Sequence, residues 1–532
     1  MIAMARTAFR TLAAVMLLAS VPLGEAVAQG SVLRTVPEGD LKVLDPILTT
    51  ASISQAHALL VFDTLFALDE TYRPKPQMVD TWTVSPDGLV YTFHLRDGLA
   101  FHDGDPVKAA DAVASLDRWG KKDVMGQRLY QAVAKTEAVD DRTLRMTMKE
   151  PYGLVLNSIG RAGGLLPAVM KEKFARTDPN TAVTEMIGSG PFMFKKEEWI
   201  PGNKVPYARN PNYKPRTEAA SGFAGGKVAK VDRVEWIYIS DAQTASAALQ
   251  RGEIDMWEWP TSDFVAMLKK DPGIVIANYD PLGQFGVMRP NHLHPPFNNP
   301  KARQALMWLT VQADYRGAIV GGDPSSWIDC VGFFACGSPN ESKVGAAPLL
   351  ERDIAKKQAM AKQLLAEAGY KNEPILILQP TDLPELNASA LVLADQLKKI
   401  GANPELVALD WNSVVTRRSN KNPPAQGGWN VFITTGTGLG TSDPFANAMS
   451  TACDKAWFGW PCDAEIEKLR DAWTRELDSA KQKQIIEQLQ TRMFEFVPFV
   501  PFGQWAYRFA YRANVKGVLS TPTRTYWNTA KE

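Results

Sequence analysis

Five histidines serve 532 residues, and two of them, His94 and His102, share one stretch with three acids. That stretch is YTFHLRDGLAFHDGDP, residues 91–106, and the acids are Asp97, Asp103 and Asp105. Imidazoles beside carboxylates are the material of metal sites and of acid–base catalysis. The local pattern gives each residue a structural task instead. Tyr91, Phe93 and Leu95 alternate with Thr92, His94 and Arg96, the period of a half-buried strand, so His94 belongs to the polar face. Asp97-Gly98 and Asp103-Gly104 read as turns. Asp105-Pro106 reads as the N-cap and first residue of a helix with Val107, Ala110, Val113 and Leu116 as its apolar stripe. His292 and His294 in NHLHPP are either a metal pair or part of an exposed Pro-rich loop, and the loop is the expectation. GSGPF (188–192) is either an anion nest or a tight backbone turn, and the turn is the expectation. The sequence has no G-x-S-x-G elbow, S-x-x-K, H-E-x-x-H or Walker loop. We therefore expect no catalytic residue, no metal and no cofactor.

The elements that would position any site come from the rest of the chain. Its length allows two or three domains with a large core. With 59 basic and 58 acidic residues the formal charge is +1, which argues against a nucleic-acid partner that needs a net basic field. Arg6 and Arg10, the apolar run TLAAVMLLASVPL and the small-x-small site Ala26-Val27-Ala28 form an export signal over residues 1–28. No cysteine follows the run, so a lipoprotein box is absent, and a soluble protein outside the cytoplasm is expected. Cys330 with Cys336 and Cys453 with Cys462 are local pairs. In an oxidising compartment they are expected as two disulfides, with zinc or buried thiols as the alternatives.

Strand and helix patterns alternate along the chain, which indicates α/β architecture. VDRVEWIYI (231–239) reads as a strand. Asp241 caps a helix that stops near Gly252, Asn299-Pro300 opens a long helix over 301–320, and Asp353 opens another that ends at Gly369. A further helix ends at Gly401. The stretches 200–227 and 420–428 read as surface loops. Fifteen tryptophans and thirteen tyrosines suit a large core, and also the walls of a pocket for a polar organic solute.

Several segments together resemble the family 5 extracellular solute-binding proteins of ABC importers, the dipeptide and oligopeptide binders. They are LDPILTT (44–50), the long run DTWTV…ASLDRW (80–119), GSGPFMF, ALQRGEIDM, NNPKARQALMWLT and AKQLLAEAGY, in the family's order. The resemblance implies a two-lobed periplasmic binding protein fold of α/β type (type II, cluster C), with an extra domain inserted in the N-terminal lobe. Lobe I would comprise 29–77, 188–283 and 503–532, the extra domain 78–187, and lobe II 284–502. It also implies a receptor that captures a peptide or other small polar solute in a closing cleft and hands it to membrane permease subunits, acting as a monomer. An exported hydrolase, or a chaperone or sensor on the same fold, is the alternative. By the same resemblance the ligand would meet Thr50, Ala51 and Ser52, Trp411, Arg418, and Thr435, Gly436, Thr437 and Gly438. Two features of dipeptide binders are missing: no acid stands between Thr434 and Ser442, and no base stands in TDLPEL (381–386). The expectation is a ligand other than a free dipeptide held in the standard way: a longer peptide, a modified amino acid, an opine, a glycoside or a polyol.

Overall fold

A computed structural model of the chain describes residues 31–278, 280–321, 324–445, 447, 453 and 456–532. The expected export segment, 1–28, lies outside the described residues. Three sheets organise the rest. The first has seven strands in the order Ile274–Asn278, Arg508–Arg512, Met256–Trp257, Val32–Val36, Arg233–Ile237, Lys204–Arg209 and Phe192–Phe194. Its central strand, Val32–Val36, is parallel to both neighbours. The second has six strands in the order Trp327–Ile328, Val500–Trp505, Gln284–Pro290, Val431–Thr437, Ile375–Pro380 and Pro404–Leu409. The third is an antiparallel sheet of Val79–Val84, Val90–Leu95, Thr143–Met148 and Val133–Ala138.

The chain passes between the two large sheets twice, from strand Ile274–Asn278 to Gln284–Pro290 and from Val500–Trp505 back to Arg508–Arg512. The return crossing is therefore at 506–507, and the expected boundary at 502 falls inside a strand paired to the six-stranded sheet. The four-stranded sheet is fastened to the seven-stranded lobe through a buried ion pair. Arg118, on helix Ala109–Gly120, gives Asp45 two hydrogen bonds of 3.2 and 2.8 Å, and the Val183 amide adds a third at 2.8 Å. Removing one partner of such a pair strands a buried charge, at a cost of about 3–5 kcal/mol.

Local patterns explain most elements. In Val90–Leu95, Tyr91, Phe93 and Leu95 are buried and His94 is exposed, as alternation requires. Asp241, Asn299 and Asp353 each accept an amide of the first helical turn that follows. Three readings need correction. The helix after Asp105-Pro106 starts only at Ala109, with the Lys108 amide bonded to Asp111, because Asp103 and Asp105 both bind Lys171 instead. The run 301–320 is two helices, Pro300–Leu309 and Gln312–Val320. Thr310 leaves the helical conformation between them, and its hydroxyl donates back to the Leu306 carbonyl. The stretch 200–227 contains strand Lys204–Arg209, which pairs with Arg233–Ile237. Cys330–Cys336 and Cys453–Cys462 are disulfide-bonded.

Candidate functional site

Strand Val431–Thr437 is the element that carries the site. Val431 and Ile433 point into the main core, while Phe432 packs on the opposite face with Trp429, Val414 and Leu378. Side chains alternate across a sheet, so a strand buried on both faces presents ligand groups only where it ends. It ends at Thr437, which is exposed. Gly438 then donates its amide to the Gly283 carbonyl at 2.7 Å. A Cβ at 438 would overlap the backbone of Leu282, so only glycine lets the two segments touch. Leu439 continues across the gap and packs on the core of the seven-stranded lobe.

A cavity of about 390 Å³ lies at this closed end of the cleft. Thr437, Leu439 and Ser442 form one wall, Leu154 and Arg161 another, and Tyr72 and Arg73 a third. Tyr72 and Arg73 sit between the paired strands Phe66–Leu68 and Pro74–Pro76. Tyr72 takes φ of 60° there.

Trp411 follows the parallel strand Pro404–Leu409 and so stands at the same end of the sheet as Thr437, while Arg418, whose carbonyl accepts the Trp429 indole, lies beside the start of strand Val431–Thr437. Asp410 caps helix Trp411–Arg417, and the Trp411 amide is held by Asp382 at 2.8 Å. The Arg418 guanidinium is enclosed by four rings, Phe458 at 4.7 Å, Trp457 at 5.0 Å, Trp411 at 5.5 Å and Phe432 at 5.8 Å. Burial among them pushes its pKa down. Phe432 and Thr437 are five residues apart, about 17 Å along an extended strand.

The seven-stranded lobe supplies the facing wall. Thr50 and Ala51 are exposed and Ser52 is half-buried at the start of helix Ser52–Val61. Ser52 hydrogen-bonds Glu38, whose amide donates to Glu258 at 3.1 Å. Burial, and then the Glu258 charge, push the Glu38 carboxyl up to about 7. Asp280, near the first crossing, is also pushed up to about 7 by burial. Glu258 accepts the Tyr526 hydroxyl at 2.7 Å. Exposed Trp259 packs on Tyr507, with ring centres 5.2 Å apart. The phenol of Tyr507 is driven above its usual range by burial and by Glu385 of the six-stranded lobe.

Of the expected ligand residues, the structure puts Thr437 on the cavity and brings Trp411 and Arg418 together with one another, not with Thr437. Gly438 is taken up by packing on Leu282. Thr435 and Gly436 pair in the sheet with Gly286 and Phe285. Three of the five histidines have backbone partners, and His94 meets the Thr143 hydroxyl at 3.1 Å. His102 Nε2 lies 3.1 Å from the Gly190 carbonyl, His292 Nε2 3.3 Å from Pro498 O and His294 Nε2 2.8 Å from Lys421 O. Side chains at Gly188 and Gly190 would overlap the Val61 and Leu60 carbonyls, so GSGPF is a close backbone contact with no room for an anion. Sequence reasoning missed Arg73, Arg161 and the Glu38–Glu258 pair. No motif marks them, because each set is assembled from distant segments.

Comparison with known proteins agrees with this architecture. The family described as bacterial extracellular solute-binding proteins, family 5 Middle, matches residues 73–457. A probable peptide ABC transporter periplasmic-binding protein, y4tO, of Sinorhizobium fredii is 39% identical over 517 residues, 95% of this chain and 94% of its own length. The glutathione-binding protein GsiB of Pectobacterium atrosepticum is 28% identical over 69% of this chain and 67% of its own. The crystal structure of a putative peptide binding protein, AppA from Clostridium difficile, superposes with a TM-score of 0.77 over 94% of this chain and 100% of that one. At 19% identity that likeness is one of fold. With two sheets joined by two crossings around a cleft, and a match of this extent, the chain belongs to the family 5 bacterial extracellular solute-binding proteins.

Proposed function

We propose that the protein is the periplasmic receptor of an ABC importer, that it captures a peptide in the interlobe cleft, and that it delivers it to permease subunits. The observation that carries this reading is a cleft whose walls come from both lobes, between which the chain crosses near 278–284 and at 506–507. A ligand touching both walls stabilises the closed form by its contacts with the second wall. The relatives named as peptide and glutathione binders support the ligand class.

In this reading residues 1–28 direct export and are removed. Among the described residues no helix is long and apolar enough to cross a membrane. Lobe I would be 29–77, 188–283 and 506–532, the extra domain 78–187, and lobe II 284–505. Thr50, Ala51, Ser52, Trp411, Thr435 and Thr437 would line the ligand path. Arg418 and Gly438 would support those residues without touching the ligand. The receptor would act as a monomer and leave its ligand unchanged.

Titration calorimetry and thermal unfolding of the mature protein with randomised peptide pools test this. A peptide at a hundred times its dissociation constant should add about 2.7 kcal/mol of stability, and mass spectrometry should recover it intact. Binding of sugars or polyols with no response to any peptide would refute the ligand class. Recovery of cleaved peptide would refute the absence of chemistry.

A further inference from the structure

The closed end of the cleft has an excess of positive charge on its walls. Arg73, Lys75 and Arg161 line the cavity against Asp443. Asp443 is engaged locally, accepting the Phe445 amide at 2.8 Å. Lys75 has Asp69 at 3.7 Å. The two arginines are less well matched. The nearest carboxylate to Arg161 is Asp123, 3.5 Å from its Nε, too far for a good hydrogen bond. Arg161 shares Asp123 with three amides, since Asp123 N-caps helix Val124–Ala132 through Met125 and Gly126 and accepts the Leu165 amide at 3.0 Å. The Arg161 Nε is buried and has no hydrogen-bond partner. Arg73 is exposed, and its side chain has no hydrogen bond or ion pair among the described residues. Guanidinium groups offer forked donors that suit a carboxylate. A buried donor left unsatisfied is costly until an acceptor arrives.

We propose that this cavity recognises a carboxylate of the bound ligand through Arg161 and Arg73, so that the receptor selects acidic peptides, by either the C-terminal carboxylate or an Asp or Glu side chain. The inference rests on the peptide-receptor reading above. It moves charge recognition from the loop between Thr434 and Ser442 to two segments of the opposite wall. Beside the arginines Asn157 contributes an amide and Thr437 a hydroxyl, while Asn340, Gln482 and Ser442 already donate to the Ser442, Glu476 and Leu439 carbonyls.

The test uses the mature protein and three pools of tetrapeptides randomised over uncharged residues: one with free C-termini, one amidated, and one amidated with a fixed Glu. Binding is read by native mass spectrometry and confirmed by calorimetry. The free-acid pool or the Glu pool should bind at least tenfold more tightly than the neutral amide pool. A preference for free acids assigns the site to the C-terminus, and a preference for the Glu pool assigns it to an acidic side chain. In Arg161→Gln and in Arg73→Ala the gap should shrink to threefold or less, with the neutral pool unchanged, while Arg161→Lys should keep part of it. Arg73 is exposed, so its variant folds whether or not Arg161→Gln does. Equal binding of all three pools by the parent, or an undiminished gap in Arg73→Ala and Arg161→Gln, overturns the carboxylate site and leaves the receptor reading intact. Failure of every pool to bind overturns the peptide reading and the inference with it.

Discussion

Arg418, on the outer face of the six-stranded sheet, and the pair Arg73 and Arg161, on the cavity, have contrasting surroundings. Arg418 is surrounded by rings at 4.7 to 5.8 Å. Its backbone carbonyl accepts the Trp429 indole at 3.2 Å. Ring faces carry negative charge and attract a cation without a carboxylate, so this arginine packs the lobe together, although its Nε, like that of Arg161, is buried without a hydrogen-bond partner. Arg73 and Arg161 have neither rings nor a well-placed acid. The same residue type is structural where aromatics enclose it and available for recognition where nothing does. The surroundings, more than the spacing that aligns Arg418 with a family position, separate the two roles.

Trp457 gives the largest expected effect. Its ring faces both Arg418 at 5.0 Å and Arg289 at 5.2 Å. Trp457→Ala should cost about 3 kcal/mol in denaturant unfolding, with the preference for acidic peptides retained. Arg418→Ala should cost about 1–2 kcal/mol and also leave that preference in place; its collapse would erase the distinction between the two settings. The facing wall supplies a test in pH. The native Glu38 carboxyl, at about 7 against an ordinary 4.5, binds more protons than the unfolded chain between those values. Its contribution to stability is full below about 4.5 and lost as pH rises through 7. Glu38→Gln removes this titration, so its melting temperature should exceed the parent's at pH 8 and not at pH 4; equal gains at both would refute the upward shift of the Glu38 carboxyl. The smallest effect belongs to Arg73→Ala, which should change stability by less than about 0.5 kcal/mol in chemical unfolding, consistent with a side chain the fold does not use.

What the sequence revealed follows from how local each cause is. The alternation in Val90–Leu95 and the caps at Asp241, Asn299 and Asp353 involve neighbours a few residues apart, so they could be read directly. Asp105 failed as a cap because its partner, Lys171, is 66 positions away. The helix break at Thr310 was hidden because threonine is tolerated in helices until its hydroxyl bonds backwards. For the site, the family resemblance pointed to the strand end at Thr437. It could not reveal Arg73 and Arg161, which come from separate segments and meet only because hairpin, extra domain and lobe II converge on one cavity. Glu38 and Glu258 were equally hidden, since the chain between them spans 220 positions.

The bond between the Gly438 amide and Gly283 has a mechanical consequence. Rotation about a pivot displaces each point in proportion to its distance from the axis, and Gly438 is tied to the crossing segment that forms the pivot. For any such rotation the Thr437 end of the strand travels little, while parts of that lobe far from the crossing sweep a wider arc. A short solute lodged beside Thr437 grips the lever at its fulcrum and has little leverage over closure. A ligand that also touches parts of the lobe farther from the crossing pulls on a longer arm and has more leverage over closure.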